Sequence, residues 1–327
     1  MVNESNSRPT KNERRSQARE QARIAREQEK KREKRNRLFL QGGIVLGVLA
    51  VLAIVGLVLT QTMKPAGPGP QNMASGGAVF TKDLKVVETP ALQADEQREA
   101  PAVDRKQLPL DVTTYVDYMC PACGAFEQQY GTMLENYVGS GDISLQVYPI
   151  NFLDGTSLGT KYSTRAANLF SCVVEEQPDV AFKLHNRLLS KEVQPAEGTT
   201  GLTDDQLLEQ AEEAGAELTT ELKQCVKNRT FSSFIDGNWK QVSEVGFQGL
   251  AKGEFMLSAD GVNPQPEGPQ RLVSTPTVIV NGKQWNQNVD GDLETYLLKV
   301  KGEFEQKSDS KKTDTKKSDS EKSTSTD

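Results

Sequence analysis

Two cysteines three positions apart give this chain its clearest indication of chemistry. Cys120 and Cys123 enclose Pro121 and Ala122, directly after a β-like run and ahead of a helix-like stretch. Such a pair can close a small disulfide, and a helix N-terminus stabilises a thiolate on the first sulfur. The motif therefore predicts thiol–disulfide exchange.

Half of a zinc site is the main alternative for this spacing, but such a site needs a second ligand pair. Cys172 and Cys225 stand far apart as single cysteines, and His185 has no His or Cys near it. We expect no metal and no organic cofactor. An inert structural disulfide is the remaining alternative, and we interpret His185 as an ordinary surface or half-buried helix residue without a catalytic role.

The elements around the pair form a predicted strand–helix–strand unit. Val112–Tyr118 has the β-branched and aromatic composition of a buried strand, Phe126–Val138 a helical pattern, and Ile143–Phe152 that of a second strand. This order implies two parallel strands joined by a right-handed crossover. Val79–Val87 is predicted as a hairpin or edge strand.

An all-helical region is predicted to follow, at about 155–250. Apolar residues recur at three- and four-residue spacing in Lys161–Glu176, Val180–Val193, Thr203–Ala214 and Thr219–Val245. Thr203 and Gln206 have the spacing of a capping box.

Strand patterns resume at Thr277–Val280 and continue, after an Asn281–Gly282 turn, at Lys283–Trp285. A final helix is predicted over Leu293–Phe304. The sequence thus predicts an α/β fold: one sheet whose chain is interrupted by an all-helical insertion.

The N-terminal region predicts a membrane anchor. Residues 38–60 are almost wholly apolar, and about twenty such residues span a bilayer. The preceding segment 1–37 is crowded with Lys and Arg, which predicts a cytoplasmic N-terminus and an extracytoplasmic remainder. A cleaved signal peptide is the alternative, but no small-residue cleavage pattern ends the apolar run.

Composition divides the rest of the chain. Residues 61–77, rich in Pro and Gly, are predicted to be a flexible linker, and the polar segment 305–327 a disordered tail. This leaves 78–304 as one domain. Nucleic-acid binding is not expected, because the basic segment has no accompanying aromatic or groove-reading element and the chain has a net charge of −6.

The segment Tyr115–Cys123, the helical insertion, and Ser274–Thr277 before the third strand together resemble the DsbA-like branch of the thioredoxin superfamily. The linker and single anchor are similar to membrane-tethered versions in Gram-positive bacteria, particularly actinobacteria. The resemblance implies a thioredoxin-like fold preceded by one transmembrane helix. It also implies that Cys120 is the exposed nucleophile, Cys123 the buried resolving thiol, and Pro276 a cis proline beside them.

The same resemblance implies that Thr275 offers its backbone to a substrate and its hydroxyl to the rim of the site. Two positions depart from the family pattern: Ala122 replaces the histidine of the oxidase prototype, and Thr114 replaces a buried carboxylate. Asp117 is the nearest acid. It is either a proton acceptor for Cys123 or a strand-end residue that faces water.

Cys172 and Cys225 lie on two of the predicted inserted helices. Disulfides persist outside the membrane, so we expect these two cysteines to form a structural disulfide, with two buried free thiols as the alternative.

The predicted function is an extracytoplasmic thiol:disulfide oxidoreductase that oxidises exported proteins bearing thiols. The resemblance implies reoxidation by a quinone-linked membrane protein of the DsbB or vitamin-K-epoxide-reductase type. A reductase or isomerase on the same fold is one alternative. A non-catalytic docking module, with the cysteine pair merely structural, is another.

Overall fold

The computed structural model describes residues 67–94, 96–100, 110–304 and 306, together with the helical residues 19, 20, 23, 26, 27, 30 and 31. Two compact units divide the chain, Met1–Pro65 and Ala66–Asp327. The predicted anchor over 38–60 lies outside the described residues. No helix within the described ranges is both long and apolar enough to cross a membrane.

A six-stranded sheet forms the framework of the second unit. Its strands are β1 (Ala78–Thr81), β2 (Lys85–Val86), β3 (Leu110–Val116), β4 (Ile143–Pro149), β5 (Thr277–Val280) and β6 (Lys283–Trp285). They lie in the order β2-β1-β4-β3-β5-β6. The central strands β3 and β4 are parallel and all other neighbours are antiparallel, so the predicted parallel pair is confirmed.

Side chains of β3 alternate between two hydrophobic clusters, as the period of two in a strand requires. Val112 and Val116 belong to the main core, and Tyr115 belongs to a second cluster on the other face. Both clusters are buried, so the centre of the sheet is covered on both faces. The end of β3 is thereby held rigidly where the cysteine motif begins.

The helices of this unit are α1 (Pro121–Ser140), α2 (Tyr162–Glu176), α3 (Pro178–Leu188), α4 (Asp204–Glu213), α5 (Thr220–Asn228), α6 (Ser232–Lys240), the short α7 (Gln287–Asp290) and α8 (residues 293–304). Helices α2 to α6 lie between β4 and β5 in the chain, as the helical insertion predicts. The capping box at Thr203 and Gln206 is confirmed by hydrogen bonds in both directions.

The prediction of one helix over Thr219–Val245 is wrong, because the chain turns between α5 and α6. Arg229 adopts a left-handed conformation with φ of 51° and ends α5. The backbone N–H of Phe231 then donates to Asn168 Oδ1 on α2 at 2.8 Å. The break leaves this backbone N–H without a partner inside a helix, and a side chain from another helix accepts its hydrogen bond. The spacing of apolar residues does not reveal such a contact.

The turn between β5 and β6 has the conformation that its sequence predicts. Asn281 and Gly282 both have positive φ, 50° and 81°, the signature of a tight two-residue hairpin turn. A Cβ at position 282 would also approach the backbone nitrogen of Ala251 to 2.5 Å. Glycine is therefore required there by conformation and by space.

A disulfide joins two helices of the insertion. Cys172 on α2 and Cys225 on α5 are bonded, at a sequence separation of 53. Cys172 is buried, and α2 also carries several of the largest buried side chains. The bridge therefore fastens α5 to the most buried helix of the insertion.

Candidate active site

Cys120 occupies the N-cap of α1, at the point where β3 delivers the chain to the helix. Pro121 follows at the first helical position, where its missing N–H leaves no hydrogen bond unmade. Cys120 and Cys123 are free thiols in this structure. Cys120 retains 6% of its surface exposed and Cys123 retains none, so an incoming sulfur reaches Cys120 first.

Thr275 and Pro276 lie beside the cysteine pair, although they are far from it in sequence. Pairing of β5 with β3 places Thr277 opposite Tyr115. The peptide bond between Thr275 and Pro276 is cis, and the Thr275 carbonyl oxygen lies 3.5 Å from Cys120 Sγ. The structure thus brings both predicted residues to the nucleophile.

The environment of Cys120 lowers its pKa from 9.0 to about 6. The largest cause is a hydrogen bond from the Cys123 thiol; Thr275 and the backbone N–H groups of Cys123 and Ala122 add to it, and partial burial opposes it. Burial raises the pKa of Cys123 well above its ordinary value. The pair is therefore asymmetric, with a thiolate on Cys120 and a proton on Cys123 at neutral pH.

Titration of the reduced protein should show this asymmetry. We expect the ultraviolet absorbance of the thiolate to rise with a midpoint near pH 6, and the rate of Cys120 alkylation to follow the same curve. Cys120→Ser should remove this step, and Cys123→Ala, which has no side-chain donor, should move it to higher pH because the largest hydrogen bond is lost. A midpoint between pH 8 and 9 in the unmodified protein would contradict the assignment.

Asp117 is fully buried, which excludes the water-facing alternative. Its Oδ1 accepts hydrogen bonds from the Met119 N–H at 2.8 Å and the Ser163 hydroxyl at 2.7 Å, and its Oδ2 accepts one from the Leu153 N–H at 2.7 Å. Burial raises the pKa of Asp117 to about 7, against the lowering effect of these hydrogen bonds. The carboxyl group is therefore able to gain or lose a proton at neutral pH.

The side chain of Gln194 fixes the backbone of the cysteine loop, a role that the sequence did not suggest. Its Nε2 donates to the carbonyl oxygens of Cys120 at 2.9 Å and Tyr118 at 3.3 Å. Gly124 makes room for it, since a Cβ at that position would collide with Gln194. The insertion thus reaches the nucleophile's own peptide group. A glycine directly after the second cysteine is the one local sign of this contact.

The interpretation of His185 as a surface or half-buried residue is wrong. His185 is 1% exposed and lies among Tyr118, Phe170 and Phe182. Its Nδ1 is 3.2 Å from the Tyr118 hydroxyl, and its Nε2 is 3.1 Å from Glu127 Oε1. The apolar residues around His185 in sequence were the available signal, because they place it on the inner side of α3.

Taken together, these contacts gather Cys120, Cys123, Asp117, Thr275 and Pro276 at one end of β3. The Cys172–Cys225 disulfide belongs to the insertion and is separate from the contacts of this group.

A disulfide-forming motif at the start of a helix, beside a cis proline that precedes an antiparallel strand, defines the redox site of a thioredoxin-like domain. Residues 105–250 match the family model described as Thioredoxin, in agreement with the resemblance that the sequence motifs carry.

Among curated proteins, the chain is 29% identical over 122 residues to the serine/threonine-protein kinase PknE of Mycobacterium tuberculosis. This similarity covers 37% of the chain and 21% of the kinase, so the chain spans about a fifth of the length of that relative.

Solved structures similar to this chain include reduced DsbA from Mycobacterium tuberculosis, with 21% identity, a TM-score of 0.45, and coverage of 70% of this chain and 99% of that one. Oxidised BdbD from Bacillus subtilis has 20% identity and a TM-score of 0.46, over 73% and 100% of the two chains. MdbA from Actinomyces oris, a thiol-disulfide oxidoreductase, has 14% identity and a TM-score of 0.46, over 70% and 88%.

Proposed function

We propose that this protein is a thiol:disulfide oxidoreductase that transfers the Cys120–Cys123 disulfide to cysteine pairs of other proteins. The observation that carries the proposal is the asymmetry of the two thiols. Cys120 is the more exposed sulfur and has a pKa of about 6, whereas Cys123 is buried and stays protonated. A stabilised thiolate on Cys120 makes this sulfur a good leaving group and favours the reduced form of the protein.

The reaction consists of two exchange steps. A substrate thiolate attacks Cys120 Sγ in the disulfide form, the bond between Cys120 and Cys123 breaks, and Cys123 leaves with the electron pair and takes up a proton. The second substrate thiolate then attacks the substrate sulfur of the mixed disulfide, and Cys120 leaves as a thiolate. The substrate gains a disulfide, and the protein is reduced by two electrons.

Asp117 is the proposed proton carrier for Cys123. Its charge and its backbone N–H both act on that thiol, and its pKa of about 7 allows it to exchange a proton at neutral pH. Asp117 thereby takes the role of the buried carboxylate that the family pattern has at position 114. This chain has Thr114 there, and the Thr114 hydroxyl lies 3.4 Å from the Gln146 carbonyl oxygen. The side chain of Asp117 is held by three donors, so its position is fixed throughout the exchange.

Net oxidation is the proposed direction, and the competing direction is disulfide reduction or isomerisation. The lowered Cys120 pKa supports oxidation. Against it, the apolar Ala122 stands where the oxidase prototype has a histidine that stabilises the thiolate, and this supports a lower reduction potential. Incubating the disulfide form of residues 67–327 with a reduced, unfolded protein should regenerate its disulfides.

Equilibration of the same protein with glutathione measures the potential. A value near that of thioredoxin, about −270 mV, together with failure to oxidise the substrate, would assign the protein to reduction instead.

The location and partners belong to the proposal as well. The apolar segment 38–60 and the basic segment 1–37 support a single-pass anchor with the redox domain outside the cytoplasm. Exported proteins bearing thiols are then the substrates. A quinone-linked membrane protein of the DsbB or vitamin-K-epoxide-reductase type is the proposed reoxidant. Localisation of a tagged chain in membrane fractions, with protease access to the domain from outside the cell, tests the topology.

A further inference from the structure

A glutamine of the helical insertion holds the backbone of the nucleophile. The Gln194 side-chain amide donates to the Cys120 carbonyl oxygen at 2.9 Å and to the Tyr118 carbonyl oxygen at 3.3 Å. Carbonyl oxygens only accept hydrogen bonds, so the NH₂ end of the amide must face them. The amide therefore joins two points of the cysteine loop, one on each side of Met119, to the segment between α3 and α4.

Gln194 is itself fixed in place by its surroundings. Its backbone N–H donates to the Ser190 carbonyl oxygen at 2.9 Å, in the turn that follows α3. On the side of α1, a Cβ at Gly124 would come within 2.0 Å of Gln194 Oε1 and 3.2 Å of the Leu189 carbonyl oxygen. The glycine thus allows the end of α3 and the following turn to lie directly against the first turn of α1.

Two backbone hydrogen bonds join Cys120 to its neighbours. As the N-cap residue it has non-helical dihedral angles, with a ψ of 116°. Its N–H donates to the Asp117 carbonyl oxygen at 3.0 Å, and its carbonyl oxygen accepts from the Gly124 N–H at 3.1 Å. Cys123, by contrast, lies inside the helix and is completely buried. The distance between the two sulfurs therefore depends on how firmly the cysteine loop is held against α1.

We propose that Gln194 is a positioning residue that keeps Cys120 within reach of the resolving thiol while a partner is bonded to Cys120. In the mixed disulfide the partner is attached through Cys120 Sγ, so its movements are transmitted to the cysteine loop. Cys123 has to approach this sulfur in line with the bond that breaks, and such alignment raises the effective concentration of an attacking group. The inference rests on the exchange chemistry proposed above, and it adds what determines how long a partner stays bonded.

Reaction with oxidised glutathione separates this step from the first attack. The Cys120 thiolate attacks one glutathione sulfur, the glutathione disulfide breaks, and the first glutathione leaves as a thiolate. Cys123 then loses its proton and attacks Cys120 Sγ, the mixed disulfide breaks, and the second glutathione leaves as a thiolate. The protein loses two electrons and gains a disulfide, and two glutathione molecules are released after taking up protons. Only the second step requires the two cysteines to be aligned.

The test follows both steps by acid quenching and mass spectrometry, in the full chain solubilised in detergent with Cys172 and Cys225 bonded. Gln194→Ala removes both hydrogen bonds, and we expect the second step to slow about three- to tenfold. The first step should change by less than about twofold at about pH 8, because Cys120 is ionised well above its pKa of about 6.

Gly124→Ala tests the same contact without changing the glutamine, and it decides alone if Gln194→Ala fails to fold. Its methyl group would displace Gln194 Oε1, whereas alanine strengthens the helix itself. We expect the same slowing of the second step. The double variant Gly124→Ala with Gln194→Ala should be no slower than either single variant, because the methyl group then has no amide to displace.

Gln177→Ala is the matched control. Gln177 also makes two hydrogen bonds to the backbone: its Nε2 donates to the Glu217 carbonyl oxygen at 2.9 Å, and its Oε1 accepts from the Glu217 N–H at 2.7 Å. Both residues belong to the insertion and neither bond reaches the cysteine loop. This substitution should leave both glutathione steps unchanged.

An unchanged second step in Gln194→Ala would overturn the proposal, as would additive slowing in the double variant. Equal slowing of the two steps, or an equal effect of Gln177→Ala, would also overturn it, because either would show a general loosening of the insertion. Failure of the unmodified protein to form both the mixed and the internal disulfide with glutathione would instead contradict the proposed function.

Discussion

Replacing Cys120 with serine should reduce disulfide transfer to the background rate, a loss on the order of a thousandfold or more, because the variant lacks the sulfur that both exchange steps use. Cys120 keeps a small accessible surface, and Cys123 is covered completely. The remaining thiol is therefore unable to substitute for it. Transfer is measured as the rate at which a reduced, unfolded protein regains its native disulfides.

Cys123→Ser provides the complementary result. Its Cys120 still attacks a small disulfide such as oxidised glutathione, but no second thiol remains to displace the bound partner. A mixed disulfide of one protein and one glutathione should accumulate and be visible by mass spectrometry. Disulfide transfer that survives Cys120→Ser would show that the pair is structural and would favour the non-catalytic docking module.

The second large effect concerns stability. Removing the Cys172–Cys225 disulfide by substituting both residues with alanine should lower the free energy of unfolding by about 4 kcal/mol. In the chain-entropy account, the bridge restricts the unfolded chain by closing a loop between residues with a sequence separation of 53. The loss is measured by denaturant titration of residues 67–327 with the Cys120–Cys123 pair kept in one redox state.

The matched control is the double variant Cys120→Ser and Cys123→Ser, which keeps the bridge and removes the other two thiols. It should unfold at a denaturant concentration much closer to that of the unmodified protein. Equal destabilisation of the two double variants would contradict a special stabilising role for the bridge in the insertion. Retention of disulfide transfer by the folded alanine variant would separate its structural role from the exchange chemistry.

Local patterns predicted those parts of the fold that local interactions determine. The β-branched and aromatic composition after Val112, the cysteine spacing and the Asn281–Gly282 turn each depend on neighbours in sequence, and each has the expected structure. The end of α5 at Arg229 was missed because the apolar spacing continues across it. What breaks the helix is a left-handed residue together with a hydrogen bond to Asn168, which lies on a different helix.

The site shows the same division. Cys120, Cys123 and Pro276 were recognisable because their residue types and spacing carry the chemistry. The contacts of Gln194 and His185 were not recognisable from the sequence, since they form only when the insertion packs against the cysteine loop and α1. The burial of Asp117 likewise depends on Ser163 and Leu153, which reach it from later segments of the chain. No spacing rule connects residues across such packing contacts.

The separation of β5 from β3 along the chain also affects how the protein acquires its activity during synthesis. The strand–helix–strand unit and the whole insertion, with both of its cysteines, are made before β5, which pairs with β3 only after residues 150–276 have been synthesised. Pairing over such a distance is slow relative to local folding. Cys120 is therefore present in a partly folded chain before Thr275 arrives beside it. Until the C-terminal hairpin docks, the cysteine pair lacks the side of its site that Thr275 and the cis proline form.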